Sequence, residues 1–178
     1  MYISPEYNVD KTLNMDPIDC ESLITDKTKV ILPVHMLGIP ADMDKIMQIA
    51  DKYKLKVLED NCESVGAKYK EKYLGTIGNV GVFSFDFGKN ITTGEGGAVL
   101  TNDPAIDEKV RLLRTHGSTQ MTELIEKDDG PWYYEMTDLG YNYRLTDFQC
   151  ALGMSQLKKL NTFLLFLFHD PMFHIYNN

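Results

Sequence analysis

The chain has 178 residues, 43% hydrophobic and 25% charged, which suits one ordinary globular domain with a buried core. Its 26 acidic against 18 basic residues give a formal net charge of -8, and no basic cluster tracks a phosphate backbone, so composition argues against nucleic acid as a partner. Cys20, Cys62 and Cys150 are odd in number and widely spaced, which fits reduced cytoplasmic thiols packed as small hydrophobes better than a disulfide framework or a metal knuckle.

The opening "MYISPEYNVDKTLNMDP" carries neither the basic start nor the apolar core of a secretory signal. "KVILPV" (29 to 34) reads as a buried strand, and "ADMDKIMQIADKYK" (41 to 54) as a helix with Met43, Ile46, Met47, Ile49 and Ala50 on one face. "LKVLED" (55 to 60) is a second strand. The order strand, helix, strand is a crossover, which makes the sheet at least partly parallel.

Further strands are expected at "VGVFSF" (80 to 85) and "GAVLTN" (97 to 102), with a glycine-rich turn between them. Asp103 and Pro104 supply an N-cap and a first-turn proline for a helix through "AIDEKVRLLRTH" that Gly117 ends. Residues 118 to 143 read as a long polar and aromatic connection. Thr146 and Gln149 form a capping-box pattern ahead of "FQCALGMSQLKKL". The final "NTFLLFLFHDPMFHIYNN" shows neither helical nor alternating polarity, and its apolar run Phe163 to Phe168 is far short of the ~20 residues a membrane span needs.

The chemistry concentrates in "FSFDFGKNITTGEGGAVLTND" (83 to 103). Lys89 stands in the turn after an apolar strand, and a lysine amine partly shielded from water is a nucleophile toward carbonyls. Asp60 ends the strand "LKVLED", where a parallel sheet opens its ligand crevice, although a strand-end turn also favours aspartate. Ser84 points away from Phe83 and Phe85 on an alternating strand, free to serve a phosphate or the local backbone. The "GEGG" run lacks both the dinucleotide fingerprint and a P-loop Lys-Ser/Thr. His35, His116, His169 and His174 show no metal-ligand spacing, so no metal is expected and they are read as structural.

The ordered set "VLEDNCESVGAKYKEKYLGTIGNVGVFSFDFGKNITTGEGGAVLTND", "LLRTHG" and "GYNYRLTDFQCALGMSQLKKL" resembles the DegT/DnrJ/EryC1/StrS family of pyridoxal-phosphate-dependent aminotransferases, which act on nucleotide-linked keto sugars. The resemblance runs from about Pro5 to about Leu160. It implies an α/β fold, a three-layer αβα sandwich with a mainly parallel sheet, similar to the large domain of type I aminotransferases but incomplete. Residues 1 to 160 would form a partial cofactor-binding domain and 161 to 178 a non-matching apolar tail.

The same resemblance implies roles. Lys89 matches the lysine that bonds pyridoxal 5'-phosphate and later shuttles a proton. Asp60 matches the aspartate facing the pyridine nitrogen, Ser84 the phosphate-binding serine, and Asn142 in "GYNYR" an asparagine reaching the cofactor phosphate of a neighbouring subunit, which implies a homodimer with a shared site. Glu63 stands where the family commonly has a glutamine on the ring hydroxyl. An amino-acid donor, usually glutamate, would supply the nitrogen. Two other readings stay open: a truncated, inactive fragment that keeps the fold core, and a sugar dehydratase, although that sister group carries histidine where this chain has Lys89.

Overall fold

Asp16 starts the first helix: its side chain accepts the N–H of Ile18 at 2.8 Å, and Pro17 at the first helical position gives up no hydrogen bond. The computed structural model describes residues 8–119, 125–127 and 129–169. In chain order these form α1 (Pro17–Ser22), β1 (Val30–Ile31), a 3-10 turn (Met36–Gly38), α2 (Met43–Tyr53), β2 (Lys56–Asp60), β3 (Lys68–Tyr69), β4 (Lys72–Tyr73), β5 (Val80–Ser84) and β6 (Gly97–Thr101). Then come α3 (Pro104–Leu113), β7 (Ser118–Thr119), β8 (Glu135–Met136), α4 (Asp147–Leu157) and α5 (Leu160–His169).

The main sheet has the order β1-β2-β5-β6. β1 pairs parallel with β2, and β2 parallel with β5 in the register Leu58 to Val80 and Asp60 to Val82. This is the expected crossover. β1 is shorter than the sequence suggests because Pro33 has no N–H to give to the ladder, which resumes as a single parallel bridge between Val34 and Asp60. Between β2 and β5 the chain makes the small antiparallel hairpin β3-β4.

α2 buries the face read from its periodicity. Met43, Ile46, Ile49 and Ala50 are buried, Met47 is half-buried, and together with Ile31 and Val57 they form the core against the sheet. Burying side chains such as Ile46 and Val57 contributes about 1.5–3 kcal/mol each. Asp42 caps the helix on the N–H of Lys45.

The described residues divide into two compact units, one of residues 8–100 and 147–169, the other of those between 101 and 146. In the second unit α3 ends at Leu113, earlier than expected. The cause is a contact distant in sequence: the Leu113 and Arg114 carbonyls accept the N–H groups of Tyr141 and Tyr143 instead of continuing the helix. The connection after Gly117 contains the β7-β8 pair, with Ser118 opposite Met136.

In the first unit the apolar segment after residue 160 is helical rather than irregular, as α5, and Leu160 and Leu164 sit against Gly66, where a Cβ would approach them to 3.2 and 2.8 Å. Residues 170 to 178 of the expected tail lie outside the described residues. The cysteines are not buried hydrophobes: Cys20 and Cys62 are half-buried and Cys150 is exposed. Among the described residues no helix is long and apolar enough to cross a membrane.

Candidate functional site

Parallel pairing brings the C-terminal ends of β2 and β5 to one edge of the sheet, with Asp60 opposite Val82 and Ser84 two residues further along β5. Ligand crevices of parallel sheets open at such an edge. Behind it, Glu59 anchors the strand end. Its carboxylate is fully buried and accepts the N–H groups of Gly75 at 2.8 Å, Ile77 at 2.8 Å and Gly78 at 2.6 Å.

His35 completes that cage. The Ala41 N–H donates to His35 Nδ1 at 3.1 Å, so the ring proton sits on Nε2 and faces Glu59 Oε2 at 3.3 Å. Burial pushes the Glu59 carboxyl upward, but the His35 bond and the three backbone N–H groups of Gly78, Gly75 and Ile77 outweigh it, and the net displacement is below the ordinary value. His35 is therefore structural, as the sequence suggests.

Asp60 turns outward from this anchor. Its Oδ1 accepts the Cys62 N–H at 3.0 Å, which fixes the carboxylate and bends the chain out of β2. Asn61, fully buried, donates to the Glu59 carbonyl and accepts the Ser64 hydroxyl, so the loop from 60 to 64 is tied internally. Cys62, which the sequence marks only as a thiol, stands within electrostatic reach of Asp60, Lys89 and Glu63. Burial pushes its thiol up to about 11, helped by a hydrogen bond to Asp60 and opposed by the Lys89 charge.

Ser84 leads into a turn organised by Asp86. The Ser84 Oγ accepts the Asp86 N–H at 3.3 Å, Asp86 Oδ1 accepts the Gly88 N–H at 3.0 Å, and the Asp86 carbonyl accepts the Lys89 N–H at 3.1 Å. Lys89 thereby projects its amine 4.0 Å from Glu63 Oε1, with the two side chains 27% and 37% exposed. Glu63 Oε2 in turn accepts the Leu37 N–H at 3.0 Å. Asp86 was not singled out by the sequence reading, although its Asp-x-Gly spacing is the signature of such a turn.

The glycine-rich return has local causes. Gly94 has φ +80° with open space around its missing Cβ, whereas a Cβ on Gly97 would lie 2.6 Å from the Phe83 carbonyl oxygen. Thr93 and Gly96 close the turn on both polar groups of the Phe85 backbone, and Gln149 of α4 donates to the Glu95 carbonyl at 2.9 Å. Asn142 belongs to the second unit, where it forms an isolated bridge with Thr115.

An amine, two carboxylates and a hydroxyl thus gather around one sheet edge and its loops. This donor set fits a group that carries an aldehyde, a basic ring nitrogen and a phosphate, as pyridoxal phosphate does.

The comparisons with known proteins agree with that chemistry. The chain is 41% identical over 157 residues to GDP-perosamine synthase of Caulobacter vibrioides, matching 88% of this chain and 40% of the relative. It is 40% identical to GDP-4-keto-6-deoxy-D-mannose 3-dehydratase of Yersinia pseudotuberculosis, matching 86% of this chain and 41% of that protein. The solved structure of Helicobacter pylori PseC, an aminotransferase involved in the biosynthesis of pseudoaminic acid, superposes with a TM-score of 0.79 at 36% identity, over 88% of this chain and 40% of that one. The chain spans about two fifths of the length of these relatives. With this α/β fold, this edge and a family model that matches residues 7–165, the chain belongs to the DegT/DnrJ/EryC1/StrS aminotransferase family.

Proposed function

We propose that the chain carries the cofactor-binding core of a pyridoxal-phosphate-dependent enzyme that moves an amino group from an amino acid, glutamate in the first instance, to a nucleotide-linked keto sugar. The observation that carries this reading is the Lys89 amine, held beside Glu63 by a turn that begins at Ser84, on the same sheet edge as Asp60. When bound, pyridoxal phosphate supplies an aldehyde to capture the amino group and a ring that draws electrons from the substrate carbon. The protein's residues do the rest.

Lys89 Nζ would be the amine that holds the group through its aldehyde. The free amine of Lys89 would then be placed to take up and return a proton as general base and acid. The Asp60 carboxylate, oriented by the Cys62 N–H, would hold a proton on the ring nitrogen. Ser84 would offer its hydroxyl to the phosphate, and Asn142 of a second subunit would reach the same group, so the working enzyme would be a homodimer. The three free thiols support a cytoplasmic setting.

The decisive experiment is trapping. Protein incubated with pyridoxal phosphate and reduced with borohydride should carry a pyridoxyl adduct on the Lys89 peptide, absent in Lys89→Ala. An adduct spread evenly over the lysines, or colourless protein in excess cofactor, overturns the assignment and leaves a fold core without cofactor binding.

The Yersinia relative gives the dehydratase reading its support. Nitrogen from labelled glutamate appearing in the sugar product decides for transamination. Loss of a hydroxyl without nitrogen uptake decides for dehydration. Lys89 supports the first outcome.

A further inference from the structure

Glu63 is placed by two independent ties. Its chain segment is fixed by the Asn61, Ser64 and Asp60 hydrogen bonds, and its Oε2 is held by the N–H of Leu37, a residue with φ 52° in the turn after β1. A bulky side chain in the left-handed region marks backbone held in place by its surroundings. This leaves Oε1 facing the Lys89 amine at 4.0 Å. A glutamine here would offer a hydrogen bond without the charge.

We infer that Glu63 is the positioning carboxylate of Lys89: it holds the unreacted amine in place at the sheet edge, rather than serving the cofactor's ring hydroxyl. This role rests on Lys89 being the reactive amine proposed above. Opposite charges 4.0 Å apart attract even with full water screening, and more where water is thinned. Cys62 and Asp60 stand beside the pair, so among the described residues of this cluster the amine faces two carboxylates and a thiol. The tie to Leu37 adds specificity, because it fixes which oxygen meets the amine.

The test needs no cofactor. The full chain is treated with trace acetic anhydride at fixed pH and low salt, and acetylation of each lysine is quantified by peptide mass spectrometry. Lys89 in Glu63→Gln should acetylate about fivefold faster than in the unaltered chain, while Glu63→Asp, which keeps the charge, retains most of the protection. Lys45 and Lys52, paired with Asp42 and Glu21, serve as internal references and should not change.

Salt separates charge from shape. Raising ionic strength to 1 M shortens the screening length from about 10 to about 3 Å and should narrow the difference between the two chains. Equal Lys89 labelling in the unaltered chain and Glu63→Gln, or a difference that persists unchanged at 1 M salt, overturns the inference. Should Glu63→Gln fail to fold, the unaltered chain still decides, since its Lys89 labelling must rise with salt. Failure of pyridoxal phosphate trapping at Lys89 would overturn the proposed function without touching this pair.

Discussion

The Glu59 carboxylate is fully buried yet accepts four hydrogen bonds, from His35 and from the backbone of Gly75, Ile77 and Gly78. Removing it leaves those donors unsatisfied in the interior, so Glu59→Ala should cost about 3–5 kcal/mol in urea unfolding. The pH dependence follows from the same contacts. Because the folded carboxyl lies below its ordinary value of 4.5, its contribution is complete above that pH and is lost as pH falls through the lower, folded value. The acid limb of the stability curve should therefore be flatter in Glu59→Gln than in the unaltered chain, and an identical limb in both would remove Glu59 from the explanation. None of this was visible in "VLED". The sequence shows Glu59 and Asp60 as neighbouring strand-end carboxylates, but alternation along the strand sends one inward and one outward, and the inward one meets donors 16 to 24 positions away. By contrast Asp60, Ser84 and Lys89 were legible as candidates, because strand ends and the turn after β5 carry local signals.

At the scale of elements, what reads well is what local chemistry dictates. The start of α3 is written in Asp103 and Pro104, and the Asp103 side chain accepts the Ala105 N–H at 3.0 Å. Asp103→Ala should cost about 1 kcal/mol by denaturant titration, with Asp103→Ser restoring most of it. The end of the same helix is illegible, since it depends on Tyr141 and Tyr143 donating to carbonyls nearly thirty positions earlier. α5 escaped detection for a different reason: an almost wholly apolar segment has no polar face, so no helical period appears in it. The glycine turn shows both cases at once. Gly94 and Gly97 look alike in sequence, but only Gly97 faces a neighbouring backbone, the Phe83 carbonyl of the adjacent strand. Gly97→Ala should lose more stability, about 1–3 kcal/mol from forced separation of β5 and β6, than Gly94→Ala, whose cost of about 1 kcal/mol is confined to its left-handed φ. Equal losses in unfolding experiments would mean that the strand contact relaxes freely.

At the scale of the molecule, the helix–strand alternation that predicts an α/β sheet is borne out by the parallel β1-β2-β5 ladder, because a crossover leaves the same imprint wherever the chain later packs. The division into two units is not so imprinted. It reflects which contacts each stretch makes. α4 shows the consequence within the first unit. Although it carries Phe148, Leu152, Met154 and Leu157, no residue of this helix is buried, and Phe148 is 88% exposed. Phe148 and Leu152, one turn apart, share a face of this helix, and an exposed apolar face is a candidate for association. The chain should therefore sediment as a concentration-dependent dimer or larger species, and Phe148→Asp, which places a charge on that surface without disturbing the core, should shift it toward monomer while leaving its circular dichroism unchanged. A homodimer of the kind proposed above requires the first result. A chain that sediments as a monomer over the whole accessible concentration range, or a Phe148→Asp variant that associates as well as its parent, would separate α4 from that assembly and leave its exposed face without an association role.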